Sequence, residues 1–93
     1  ITIVMNNKSW GAEKAYQRDF YDQRYIGADI NSPPFHKLAE IYGAKGYHVF
    51  ELKDLKGAVI DAMNCNKPAV INVDVDPKAL YSFRKDSFKH RSK

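Results

Sequence analysis

A single cysteine, Cys65, stands among the 93 residues, so no internal disulfide can form and a reducing, cytoplasmic setting is expected. It falls near the end of an expected helix, where it reads as a small apolar side chain or an idle thiol. No apolar run approaches the roughly 20 residues of a membrane span, and no signal-peptide pattern opens the chain. A Walker loop, a Gly-x-Gly-x-x-Gly turn and a Gly-x-Ser-x-Gly elbow are all missing. His36, His48 and His90 are scattered without metal-ligand spacing, which leaves them as surface or half-buried residues. Nor is the chain polar enough for disorder: 44% of its residues are hydrophobic, which suits one small globular domain.

The net charge of +4 is unevenly placed. Lys78, Arg84, Lys85, Lys89, Arg91 and Lys93 face only Asp86 in the tail, so the body before it is close to neutral. A basic tail can grip nucleic acid or another polyanion. With no basic face on the body, it reads better as a solvated extension or an arm packed on a partner subunit. The expected division is therefore an α/β domain over residues 1–77 and a basic tail over 78–93. A small basic nucleic-acid-binding module is the alternative from another class. The chain opens on Ile1 inside an expected strand, which suggests a piece of something longer.

That opening carries the strongest local signal. Ile1-Thr2-Ile3-Val4-Met5 is a continuous apolar run that reads as a strand buried on both faces of a parallel sheet. It stops on Asn6 and Asn7, where ligands of such sheets are met, beyond the carboxyl ends of the strands. An asparagine oxygen is a neutral hard donor that suits Mg²⁺, and Gly11 lets the backbone approach a phosphate closely. An asparagine pair after a strand is equally ordinary turn chemistry.

Periodicity supplies the remaining elements. A helix is expected from about Ala12 to Tyr21, with Tyr16 and Phe20 on one face, and a loop over residues 25–31. Ser32 as N-cap and Pro33 at the first helical position open a second helix, ended by Gly43, with Phe35, Leu38, Ala39, Ile41 and Tyr42 as its apolar face. Residues 47–51 read as an edge strand. A third helix over about 54–64 turns Leu55, Val59, Ala62 and Met63 inward, and Gly57 costs it up to ~1 kcal/mol. Residues 69–75 form the last strand, ended by Asp76-Pro77. The arrangement is an α/β fold: a partial parallel sheet of three strands, in spatial order one, three, two, with flanking helices. Glu13 and Asp19 are candidate acids that read as solvent-facing, and Asp74 and Asp76 read as loop chemistry.

Asn6-Asn7-Lys8-Ser9-Trp10-Gly11-Ala12 resembles the closing end of the thiamine-diphosphate motif, which begins with Gly-Asp-Gly. The likeness continues through Phe20-Tyr21-Asp22-Gln23-Arg24-Tyr25, Phe35-His36-Lys37-Leu38-Ala39, Gly43-Ala44-Lys45-Gly46 and Pro68-Ala69-Val70-Ile71-Asn72-Val73. It is similar to the C-terminal cofactor domain of the acetolactate synthase superfamily. Within it, Trp10-Gly11-Ala12-Glu13-Lys14, Asp19-Phe20-Tyr21 and Phe83-Arg84-Lys85-Asp86 most resemble the sulfoacetaldehyde acetyltransferase family. The resemblance implies thiamine diphosphate and Mg²⁺ as cofactors, with the Asn7 side chain and the Ser9 carbonyl on the metal. Gly11 and Ala12 would present N–H groups to the diphosphate, and Tyr16 would line a substrate channel. No catalytic residue of this span is implied. The implied reaction converts sulfoacetaldehyde and phosphate into acetyl phosphate and sulfite; an acetolactate synthase-like carboligase is the alternative. Implied partners are an N-terminal pyrimidine-binding domain with its activating glutamate, the Gly-Asp-Gly segment, and further copies in a homodimer or homotetramer. The 93 residues alone would be inactive.

Overall fold

A computed structural model describes residues 1–82, and the basic tail from residue 83 onward lies outside the described residues. The chain divides into two compact units. The first joins residues 1–7 to 31–75; the second contains 8–30 together with 76–82.

The first unit is a three-stranded parallel sheet in the expected order. Its strands are β1 (Thr2–Asn6), β2 (Lys45–Val49) and the central β3 (Ala69–Asp74). β3 pairs with both neighbours, from Thr2↔Val70 to Asn6↔Asp74 on one side and from Lys45↔Ala69 to Val49↔Val73 on the other. That double pairing explains why its sequence is the most continuously apolar of the three. Side chains alternate across the sheet. Ala69, Ile71 and Val73 join Val49 and Ala62 in a buried core, with Leu55, Ala58 and Val59 packed against it from α3 (Leu52–Asn64). Tyr47 donates its hydroxyl to Asp61, tying β2 to α3. Cys65, the C-cap of α3, packs on this core as a free thiol. No described helix is long and apolar enough to cross a membrane.

The opposite face of β3 carries Asn72, which donates Nδ2 to His36 Nδ1 at 3.4 Å from α2 (Phe35–Ile41). Asn72 is 1% exposed, and its Oδ1 has no hydrogen-bond partner among the described residues. The His36 ring stacks on His48 of β2 at 4.3 Å, and His48 Nε2 lies 3.0 Å from Asp74 Oδ2. Two histidines that looked dispersed in sequence thus share one polar cluster, and Asp74 belongs to it rather than to a loop. Asp76 keeps its expected turn role, its Oδ1 accepting from the Lys78 N–H at 2.9 Å.

Several expectations are corrected. β1 is not buried on both faces: Ile1, Ile3 and Met5 are 59%, 45% and 63% exposed, because the helices of this unit pack mainly over β2 and β3. α2 begins at Phe35, with Pro34 rather than Ser32 as N-cap. A residue before proline is driven out of the helical region, so Pro33 cannot start the helix ahead of Pro34. Of the apolar α2 face only Ala39 is buried; Leu38, Ile41 and Tyr42 are exposed, as is Met63 of α3. β2 begins at Lys45, two residues early, because the end of α2 turns the chain at once. Gly43 (φ 77°) donates to Glu40 O and Ala44 to Ala39 O, the two bonds of a Schellman motif. Gly46 then sits inside the strand, where a Cβ would meet the His36 carbonyl oxygen at 2.0 Å.

Two alanine substitutions should move stability in opposite directions. Gly46→Ala forces α2 off β2 and should destabilise by roughly 1–3 kcal/mol or more. Gly57→Ala, where a Cβ meets nothing within 4 Å, should stabilise by about 0.5–1 kcal/mol; urea midpoints of the two variants check both. A pH effect follows from His36, held below its usual 6.5 by burial first, then by the charge of His48. Lys37 lowers it further, while Glu40 and Asp74 oppose the shift. The unfolded chain then binds the His36 proton more readily, so stability present above about pH 6.5 is lost as pH falls through the folded value. Urea unfolding should show that loss, and His36→Gln should flatten it.

Candidate cofactor loop

The candidate residues follow β1 directly. Asn7 closes the first unit, one residue beyond the last of β1. Lys8 opens the second with a left-handed backbone (φ 54°), a conformation that costs a non-glycine residue roughly 1–2 kcal/mol. Something must hold it there. Lys8 O accepts from Ile30 N at 3.0 Å and Trp10 N donates to Ala28 O at 2.6 Å, so Ser9 and Asp29 face each other in an antiparallel bridge. Trp10 is also the N-cap of α1 (Gly11–Phe20), and Trp10 O accepts from Lys14 N at 3.0 Å.

The returning segment, residues 24–30, is fastened to α1 by side chains one turn apart. Lys14 Nζ reaches Asp29 Oδ1 at 2.6 Å and lies 5.0 Å from the centre of the Tyr25 ring. Gln17 holds Ile26 twice, donating Nε2 to its carbonyl at 2.9 Å and accepting its N–H at 3.4 Å. Gly27 (φ 63°) makes the bend between these fastenings. Gln17 and Asp29 did not stand out in the sequence, and Lys14 did so only as the last residue of the Trp10–Lys14 run. The three-residue step from Lys14 to Gln17 is visible there, but their loop partners are not.

A groove of about 780 Å³ opens beside α1. Tyr16, Phe20, Tyr21 and Ile26 form its apolar walls, and Glu13 and Arg24 bring one charge of each sign. Tyr16 and Phe20 pack ring to ring at 6.2 Å, as their spacing predicts. Glu13 is exposed as expected; Asp19 is not, since Arg18 Nε binds its Oδ1 at 2.9 Å.

The main-chain groups that open α1 suit a diphosphate. Trp10 makes no side-chain cap, and Gly11 and Ala12 place nothing larger than a methyl group over the first N–H groups of α1, the end of a helix that attracts anions. Among the described residues no three His, Cys, Asp or Glu side chains gather to hold a metal. Mg²⁺ is commonly held by one or two carboxylates together with phosphate oxygens and water, so the oxygens of this span would be only part of such a set.

The family description "Thiamine pyrophosphate enzyme, C-terminal TPP binding domain" matches residues 1–73. The chain belongs to the thiamine pyrophosphate enzymes. It is similar to a sulfoacetaldehyde acetyltransferase of Castellaniella defragrans, 35% identical over 89 residues, covering 91% of this chain and 15% of that protein. A 2-hydroxyacyl-CoA lyase of Oryza sativa subsp. japonica is 47% identical over 84 residues, covering 85% and 15%. A probable acetolactate synthase large subunit of Methanococcus aeolicus is 28% identical over 83 residues, covering 88% and 14%. The chain thus spans about 15% of the length of these curated relatives. Transferases, lyases and synthases of one thiamine pyrophosphate family share this C-terminal domain.

Proposed function

We propose that this chain supplies part of the thiamine diphosphate and Mg²⁺ site of a sulfoacetaldehyde acetyltransferase. The observation that carries it is the run Trp10-Gly11-Ala12-Glu13-Lys14, which resembles that family, within a similarity reaching over 91% of the chain. Thiamine diphosphate, when bound, supplies the nucleophilic carbon and electron sink with which the carbon–sulfur bond of sulfoacetaldehyde is broken. Phosphate takes the acetyl group, and sulfite leaves.

The residues of this chain bind and orient. Asn7 offers its side-chain oxygen and Ser9 its carbonyl to the cation, leaving further positions for phosphate oxygens, water and another protein group. Gly11 and Ala12 offer N–H groups to the diphosphate, where the positive end of the α1 dipole favours negative charge. Tyr16 lines the groove through which substrate arrives, and the aromatic walls around it exclude water. The remaining parts are an N-terminal pyrimidine-binding domain with the activating glutamate and a Gly-Asp-Gly segment. We place the assembled enzyme in the cytoplasm as a homodimer or homotetramer.

The 47% identity to a 2-hydroxyacyl-CoA lyase favours a second reading, cleavage of a 2-hydroxyacyl thioester. An acetolactate synthase-like carboligase is a third. The full-length protein separates them in parallel assays. Sulfite and acetyl phosphate formed from sulfoacetaldehyde support the first, aldehyde released from 2-hydroxyacyl-CoA the second, and carbon dioxide from pyruvate the third. Asn7→Ala should weaken Mg²⁺-dependent cofactor binding at least about tenfold, or about 1.4 kcal/mol, while Asn7→Asp, which keeps an oxygen, should retain it. Calorimetry on the isolated 93 residues should show no micromolar binding of the cofactor.

A further inference from the structure

We propose that Lys14 and Asp29 act as a positioning pair that sets the main chain of Lys8, Ser9 and Trp10 for cation and diphosphate. The inference rests on the cofactor reading above and adds two residues to it. Asp29 stands directly opposite Ser9, and the bridge is closed on either side by Trp10 N to Ala28 O and Ile30 N to Lys8 O. Whatever fixes Asp29 therefore fixes the direction of the Ser9 carbonyl. Lys14 does so from α1, with Nζ 2.6 Å from Asp29 Oδ1 and its cation against the Tyr25 ring.

The contacts form a ring. Trp10 O accepts from Lys14 N, Lys14 holds Asp29, the bridge joins Asp29 to Ser9, and Ser9 is covalently next to Trp10. One member of this segment, Lys8, has a left-handed backbone that persists only when its surroundings over-determine it. The end of α1, with Gly11 and Ala12, belongs to the same ring through Trp10. Cation donor and diphosphate donors are therefore set by one closed set of contacts.

Stability is not what the pair supplies. The Asp29 side chain is 75% exposed, and an ion pair in that setting adds little to folding. The Lys14 side chain is only 19% exposed, which holds the ammonium in one place. A pair that orders a ligand-bearing loop without stabilising the fold has a distinct signature: affinity changes while the unfolding midpoint does not.

The test uses the full-length protein, with calorimetric titration of thiamine diphosphate in Mg²⁺ and thermal unfolding without cofactor. Lys14→Met and Asp29→Asn should each weaken Mg²⁺-dependent binding roughly tenfold, the scale at which residues behind metal ligands act. Their unfolding midpoints should stay at the wild-type value. Lys14→Arg, and the exchanged pair Lys14→Asp with Asp29→Lys, should recover most of the affinity. Wild-type affinity in Lys14→Met and Asp29→Asn, alongside a clear loss in Asn7→Ala, would overturn the positioning pair alone. A protein that binds the cofactor equally well without divalent cation, or with Asn7→Ala silent, overturns the cofactor reading and the pair with it.

Discussion

The parallel ladder between β1 and β3 is the constraint on which the rest depends. Among the described residues β1 has no other strand beside it, so its position follows from the pairing of Thr2 to Asn6 with Val70 to Asp74. Val75 N donates to Asn6 O at 3.1 Å and extends that pairing to the last residue of the strand. A parallel register brings all carboxyl ends to one edge, and the chain leaves that edge at Asn7. A slip of one residue would exchange the two faces of β1 and send a different residue into the loop. The apolar run of β1 is thus a ruler that measures out where the asparagines emerge.

Much of this was readable because it rests on local chemistry. Tyr16 and Phe20 at a four-residue step, Gly43 after an apolar helix, and the unbroken Ala69-Val70-Ile71 run each announce their element. What escaped reading depends on partners far along the chain. Nothing near Gly46 in the sequence shows that the backbone of His36 rests on it. Asn72 and His36 meet across 36 positions, and Lys14 reaches Asp29 across 15. Burial of β1 is overestimated for a related reason. An apolar strand asks for cover on its faces, and among the described residues α2 and α3 pack mainly over β2 and β3.

The candidate site draws heavily on main-chain groups. A carbonyl at Ser9 and N–H groups at Gly11 and Ala12 impose few demands on side-chain identity, only that the backbone lie in the right place and nothing bulky cover it. Side chains of more varied chemistry lie on the groove wall, where Tyr16, Phe20 and Tyr21 stand with Glu13 and Arg24.

The contact between Gly46 and the His36 carbonyl has an evolutionary corollary. Helix and strand touch there through backbone, so no compensating side-chain change elsewhere can make room for a larger residue. α2 and β2 must drift as a block. Homologues that replace this glycine should be recognisable by a displaced helix, a different docking angle, or a deletion in the short turn that joins the two.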